Sequence, residues 1–143
     1  MPTNISSITI NASVNRVWDT VKNPDLVKLW QYGSKLQTTW QVDNPIKFST
    51  EWEGKLYEQW GIVKEVIPYS LVKYSLFAPR PDLEDKSENY FMMSYVLTTV
   101  DDATKLEIIQ EDNRPNAVQE APQDETNPIL ITLKEVAESS ADK

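Results

Sequence analysis

Cysteine and histidine are both absent from this 143-residue chain. Without thiols no disulfide can form, so nothing suggests a stapled secreted scaffold. Without thiolate or imidazole, zinc sites built on those ligands are excluded. The Ser–His and Cys–His nucleophile pairs are excluded with them. Any acid–base chemistry would fall to carboxylate, lysine or tyrosine. No bound catalytic transition metal and no covalent nucleophile are therefore expected, and no catalytic residue, metal ligand or cofactor is assigned. The opening MPTNISSITI has no basic start and no long apolar run, unlike a signal peptide, and no apolar stretch approaches membrane-spanning length. A cytoplasmic location is the expectation. Positive charge is also scarce, with 14 basic against 22 acidic residues and a net charge of −8. Such a chain repels a phosphate backbone and an anionic lipid surface, so neither nucleic acid nor membrane is an expected partner. The acidity itself reads as a solubility feature.

What remains is ordinary in amount and unusual in kind. The apolar share is 40%, enough for a packed core, and it includes five Trp and six Tyr. Large aromatic groups of this sort anchor cores and line pockets. The length suits one domain over residues 1–143, with no internal repeat and no linker.

Periodicity gives the order of elements. Ile8 and Ile10 alternate with polar neighbours in a first strand. Val14, Val17, Trp18 and Val21 then share one face of a helix, with Ser13 placed to cap it. Asn23-Pro24-Asp25 carries the grammar of a second helix start: cap, first-turn proline and an acid at the positive end of the dipole. That helix runs to about Trp30. From there to Glu111 the period is mostly two. Ile46, Phe48, Thr50 and Trp52 alternate with Lys47, Ser49, Glu51 and Glu53, a strand with one wet face. Glu53-Gly54-Lys55 is a hairpin turn. The strand from Leu56 to Ile67 has an unclear phase, because Ile62-Val63 and Val66-Ile67 are both apolar pairs, and Gly61 is the candidate for a bulge. Val72, Tyr74 and Leu76 form the next strand face. Residues 78–89 read as a loop. Phe91, Met93, Tyr95 and Leu97 share another face, Asp101-Asp102 turns the chain, and Leu106 and Ile108 carry the last strand. Residues 113–126 form a polar connection, and a helix from about Asn127 to Ser139 presents Ile129, Leu130, Leu133, Val136 and Ala137. Its apolar face is the natural cover for the sheet. The predicted class is α+β: a curved antiparallel sheet of six to seven strands around a C-terminal helix, with two short helices after the first strand.

This order, together with particular residues, resembles the helix-grip (START-like) superfamily of lipid-transfer and polyketide-cyclase-like proteins. Within it the chain resembles the bacterial branch similar to the C-terminal domain of the activator of the heat-shock protein 90 ATPase. The residues that carry the likeness are Ile10-Asn11-Ala12, Val17-Trp18, Pro24, Trp30, Ile46-x-Phe48, Gly54 and Gly61-x-Val63-x-Glu65-Val66-x-Pro68. Leu71-Val72-x-Tyr74, the run Met93 to Leu97, Thr104-x-Leu106, and Leu133-Lys134 with Glu138 complete it. Three departures stand out, one of them the polar and irregular connection before the last helix. Asp43 occupies a place where glycine is usual, and Ile129 or Leu130 stands near the place of a common tryptophan. The resemblance implies an apolar cavity between sheet and helix. It leaves the function open, because relatives of this kind bind lipids, catalyse cyclisation or contact a chaperone.

The candidate ligand-binding residues follow from phase. Phe48, Trp52, Trp60, Tyr74 and Tyr95 are aromatic groups that either fill the core or line a pocket. Met93 shares phase with Tyr95, and an adaptable thioether suits an irregular wall. Ile108 and Gln110 continue the face of the last strand, and Leu130 and Leu133 approach from the helix. Gln110 and Thr50 are polar groups aimed inward that could orient a ligand. Glu51 and Glu53 fall on the wet face and read as solvated rather than as an acid–base pair. Three functions fit: a binding domain for an apolar or amphipathic small molecule, a protein-interaction module resembling the chaperone activator, or a cyclase- or hydrolase-like enzyme using the same pocket.

Overall fold

The computed structural model describes residues 3–30, 34–77, 84–86, 89–112 and 128–139, apart from the side chains of Trp52 and Pro128. The expected loop at 78–89 lies largely outside these residues. The connection at 113–126 and the tail beyond 139 lie wholly outside them.

Among the described residues the alternating stretches build seven antiparallel strands: β1 (Thr3–Ile10), β2 (Lys35–Thr38), β3 (Pro45–Trp52), β4 (Lys55–Ile67), β5 (Leu71–Leu76), β6 (Phe91–Val100) and β7 (Ala103–Asp112). Their order in the sheet is β1-β7-β6-β5-β4-β3-β2. The last six strands therefore form a meander, and β1 joins beside β7. β2 has no signature of its own, because Leu36 is its single apolar residue; pairing with Phe48 on β3 fixes it.

The turns follow from backbone chemistry. Positive φ at both Glu53 (50°) and Gly54 (78°) is the type I′ pattern, whose twist matches that of the flanking strands. Asp43 also adopts positive φ, at 72°. Aspartate tolerates this region better than most residues, which is why it can stand where glycine is usual.

Gly61 plays a different part from the bulge expected of it. The register shift falls between Val63 and Glu65. A Cβ on Gly61 would sit 1.8 Å from the carbonyl oxygen of Ser75, so β4 and β5 approach too closely there for any side chain. The true bulge resolves the two apolar pairs. It lets Val63 and Val66, three residues apart, both join the core, while Ile62 and Ile67 remain exposed.

Among the described residues, three helices cover one face. In α1 (Val14–Lys22) the Ser13 hydroxyl accepts the Arg16 N–H at 3.2 Å, and Val17, Trp18 and Val21 are buried. Asn23 ends α1 and starts α2 (Pro24–Trp30), its side-chain oxygen accepting the Asp25 N–H at 3.0 Å. In α3 (Pro128–Ser139), Leu130, Leu133 and Ala137 enter the same core as Ile10, Val17, Tyr95 and Leu106. The C-terminal end of α3 is pinned. The Arg16 guanidinium donates to the carbonyls of Ala137 (3.1 Å) and Val136 (2.9 Å), capping the negative end of the helix. Glu138 accepts the Asn11 N–H at 2.8 Å and pairs with Lys134, which donates to the Thr9 carbonyl at 3.1 Å. No described helix is long and apolar enough to cross a membrane.

Candidate ligand cavity

The sheet register decides which side chains meet under the helices. Met93 on β6 lies between Tyr74 on β5 and Gln110 on β7, and Tyr95 lies opposite Ile108, whose other neighbour is Ser6 on β1. Phe48 on β3 faces Gln59 on β4, and Thr50 faces Tyr57. Alternate residues share a face, so these rows form one continuous floor. Leu76 and Phe91 extend it, Trp30 from α2 and Ile129 and Leu130 from α3 cover it, and Ser34 closes one side. They enclose a cavity of about 470 Å³, within the range of small-molecule sites.

The cavity runs from core to surface. Its inner wall holds Tyr74, 2% exposed, and Leu130, 1% exposed; its rim holds Tyr57 at 53% and Ile129 at 41%. Every described lining residue is uncharged. Among the described residues no cluster of acidic side chains is arranged to hold a metal ion.

The polar groups are mostly engaged. Trp30 turns its indole N–H away to the Thr20 carbonyl at 2.8 Å, which leaves hydrocarbon toward the cavity. Ser34 and Thr50 share a hydrogen bond of 2.7 Å. Gln110 donates to Asp112 at 3.3 Å. At the inner wall the hydroxyls of Tyr74 and Tyr95 lie 2.6 Å apart, with the rings edge to face at 5.6 Å. Phe48 packs on Tyr74 from β3, with ring centres 5.9 Å apart. Burial pushes the Tyr95 hydroxyl up to about 12, although the bond from Tyr74 works the other way. Burial also raises Tyr74 well above the usual phenol value, and its neighbour Tyr95 adds to the rise. Both phenols are thus neutral at physiological pH.

The cavity brings together Phe48, Tyr74, Met93, Tyr95, Ile108, Gln110 and Leu130 from the predicted set. Leu133 is fully buried in the core, less than one turn beyond Leu130 along α3, and does not border the space. Trp60 points the opposite way. It shares phase with Lys47, packs its ring on Phe77 at 5.4 Å, and donates to Asp85 at 3.0 Å. The bulge lies beyond Trp60, so the inward residues of this part of β4 are Tyr57 and Gln59. The side chain of Trp52 lies outside the described residues. Thr50, named beside Gln110 as an inward polar group, also lines it, whereas Ser6, Trp30, Ser34, Tyr57, Gln59, Leu76, Phe91 and Ile129 were not in the predicted set. For Leu76, Phe91 and Ser6 the signal was available, since each is in phase with a predicted or core neighbour on its own strand.

An antiparallel sheet curved around a C-terminal helix, with two short helices after its first strand, defines the helix-grip class. Within that class, residues 11–138 match the model of the activator of Hsp90 ATPase homolog 1-like protein family, and the chain belongs to that family. Three solved structures show the likeness. A protein from Cytophaga hutchinsonii is 29% identical, with 78% of each chain covered and a TM-score of 0.64. The Aha1 dimer from Colwellia psychrerythraea is 19% identical over 82% of this chain and 81% of that one, at a TM-score of 0.60. An HSP90 activator from Plasmodium falciparum is 12% identical over 82% of this chain and 76% of that one, at 0.64. The comparison with curated proteins gives no match.

Proposed function

We propose that this protein is a cytoplasmic binding domain for a small amphipathic molecule, held between the sheet and the N-terminal turn of α3. The observation that supports this most is the cavity of about 470 Å³, which begins at an exposed rim and ends against buried tyrosines. A fold whose helix simply completed the core would have filled that space with side chains, as interiors normally are. The lining suits a guest that is mainly apolar and carries few polar groups. Native mass spectrometry of protein purified from its own source is the direct trial, followed by titration of the emptied protein with sterols, fatty acids and aromatic polyketides. Ile129→Trp at the exposed rim should block entry without touching the core. A ligand that binds the original chain and not this variant supports the reading; no binding by any member of the panel removes it.

A second reading, a protein-interaction module, draws on the family and on Leu56 and Tyr57, which stand exposed on β4 just after the β3–β4 turn. Leu56→Asp should abolish capture of a chaperone ATPase if this hairpin is the contact, and should leave small-molecule binding intact.

A further inference from the structure

The tyrosine pair at the inner wall contains a surplus proton. Two neutral phenols carry two O–H protons, and one hydrogen bond of 2.6 Å between them uses one. Whichever hydroxyl donates, the other keeps its own proton. No described residue accepts it: the bond between the two hydroxyls is the hydrogen bond each makes, and their surroundings are apolar, with Phe48 and Trp40 against the Tyr74 ring. Both rings are buried and both line the cavity. A buried donor without an acceptor is costly, so the surplus proton is a demand on whatever fills the space. Hydroxyl protons rotate to suit a partner, so the pair can aim its donor at an incoming atom without moving a ring.

We propose that the cavity takes a neutral amphipathic ligand whose buried end carries a carbonyl-type oxygen that accepts a hydrogen bond from the Tyr74–Tyr95 hydroxyl pair. This inference rests on the binding-domain reading above. Neutrality follows from the surroundings. The described lining offers no cation to accompany an anionic head, and an unpaired charge at that depth is strongly disfavoured. Burial also raises both phenols, so they remain donors at any physiological pH. A ketone, ester or amide oxygen satisfies the pair; a bare hydrocarbon of the same shape leaves it unsatisfied.

The test uses 6-propionyl-2-(dimethylamino)naphthalene, a neutral aryl ketone, and its 6-propyl analogue, in which a methylene replaces the carbonyl. The original chain should bind the ketone roughly tenfold or more tightly than the propyl compound, the discrimination expected of a buried donor left unpaired. The bound ketone should show a carbonyl stretch lowered relative to its value in hydrocarbon solvent. Either single change, Tyr74→Phe or Tyr95→Phe, removes one proton and one acceptor together, so the remaining hydroxyl still serves the ligand and much of the preference survives. Tyr74→Phe with Tyr95→Phe removes the donor altogether, and the preference should vanish while the propyl compound binds at least as tightly as before, which also shows that the double variant is folded. Equal binding of the two compounds to the original chain overturns the inference and leaves the binding-domain reading standing. So does a preference that persists in the double variant. If neither these compounds nor the wider panel binds, the binding-domain reading falls and takes the inference with it.

Discussion

The space between sheet and helices has two ends built from similar residues with opposite results. At one end, α1 contacts β6, β7 and α3, and α3 lies against β1. Ile10, Val17, Val21, Leu106, Leu133 and Ala137 fill that end. Hydrogen bonds from Arg16 and to Glu138 fix the helix terminus there. At the other end the cover consists of Trp30 and the first turn of α3, and Phe48, Tyr74, Met93 and Tyr95 border a cavity instead of a partner. The difference shows that an apolar face does not decide whether it becomes core or pocket. The number of elements laid over it does.

The contrast can be tested by removing side chains from each end. Leu133→Ala, at the filled end, should cost roughly 2–5 kcal/mol, the usual range for a buried leucine whose surroundings cannot collapse. A denaturant midpoint that does not move would contradict the assignment of that end as packed core. Gly61→Ala tests the close approach beneath the open end. The new methyl would meet the Ser75 carbonyl, so β4 or β5 must shift, at about 1–3 kcal/mol. A neutral result by thermal unfolding would show that the strands part easily there.

Ile108→Ala borders the cavity and removes contacts on one side only. It should cost about 1 kcal/mol, less than the same loss from a site enclosed on every side. If it proves as damaging as Leu133→Ala, the space is closed in solution and the comparison breaks.

Glu138→Gln gives the smallest change, about 0.5 kcal/mol for a partly exposed pair. It also carries a pH signature. Burial alone would raise the Glu138 carboxyl, but hydrogen bonds from Lys134 and the Asn11 N–H outweigh it and hold the group below its usual value. A depressed carboxylate contributes stability above its unfolded pKa and loses it as pH falls through its folded one. The original chain should therefore be the more stable at neutral pH, and its advantage over the glutamine variant should shrink in acid. Urea unfolding at pH 7 and near pH 3 reads this directly, and an advantage that grows in acid contradicts it.

Much of the architecture was legible in the sequence because each element declares itself locally. Alternation placed β3, β5, β6 and β7. The cap at Ser13 and the Asn23-Pro24-Asp25 sequence placed the first two helices. The positions that misled were those set by a neighbour. Gly61 looked like a bulge, yet its reason is the Ser75 backbone on the next strand. Trp60 looked inward because the true register shift, at Lys64, leaves no mark in residue type. β2 was not foreseen because one apolar residue carries no period.

For the site, sequence alone determined which side chains share a strand face. It aligned Phe48 with Thr50, Met93 with Tyr95 and Ile108 with Gln110, since period two is a property of the extended chain. It also determined the chemistry on offer: no thiol, no imidazole, and many aromatic rings. Only the tertiary structure decided which of those faces is covered and how completely. It decided that Leu133 closes the core while Leu130, less than one turn before it, borders a void. It also brought Tyr74 and Tyr95 within a hydrogen bond of each other across two strands. Those outcomes depend on where α3 crosses the sheet and where its first turn begins, and that position is a sum over contacts far apart in the chain.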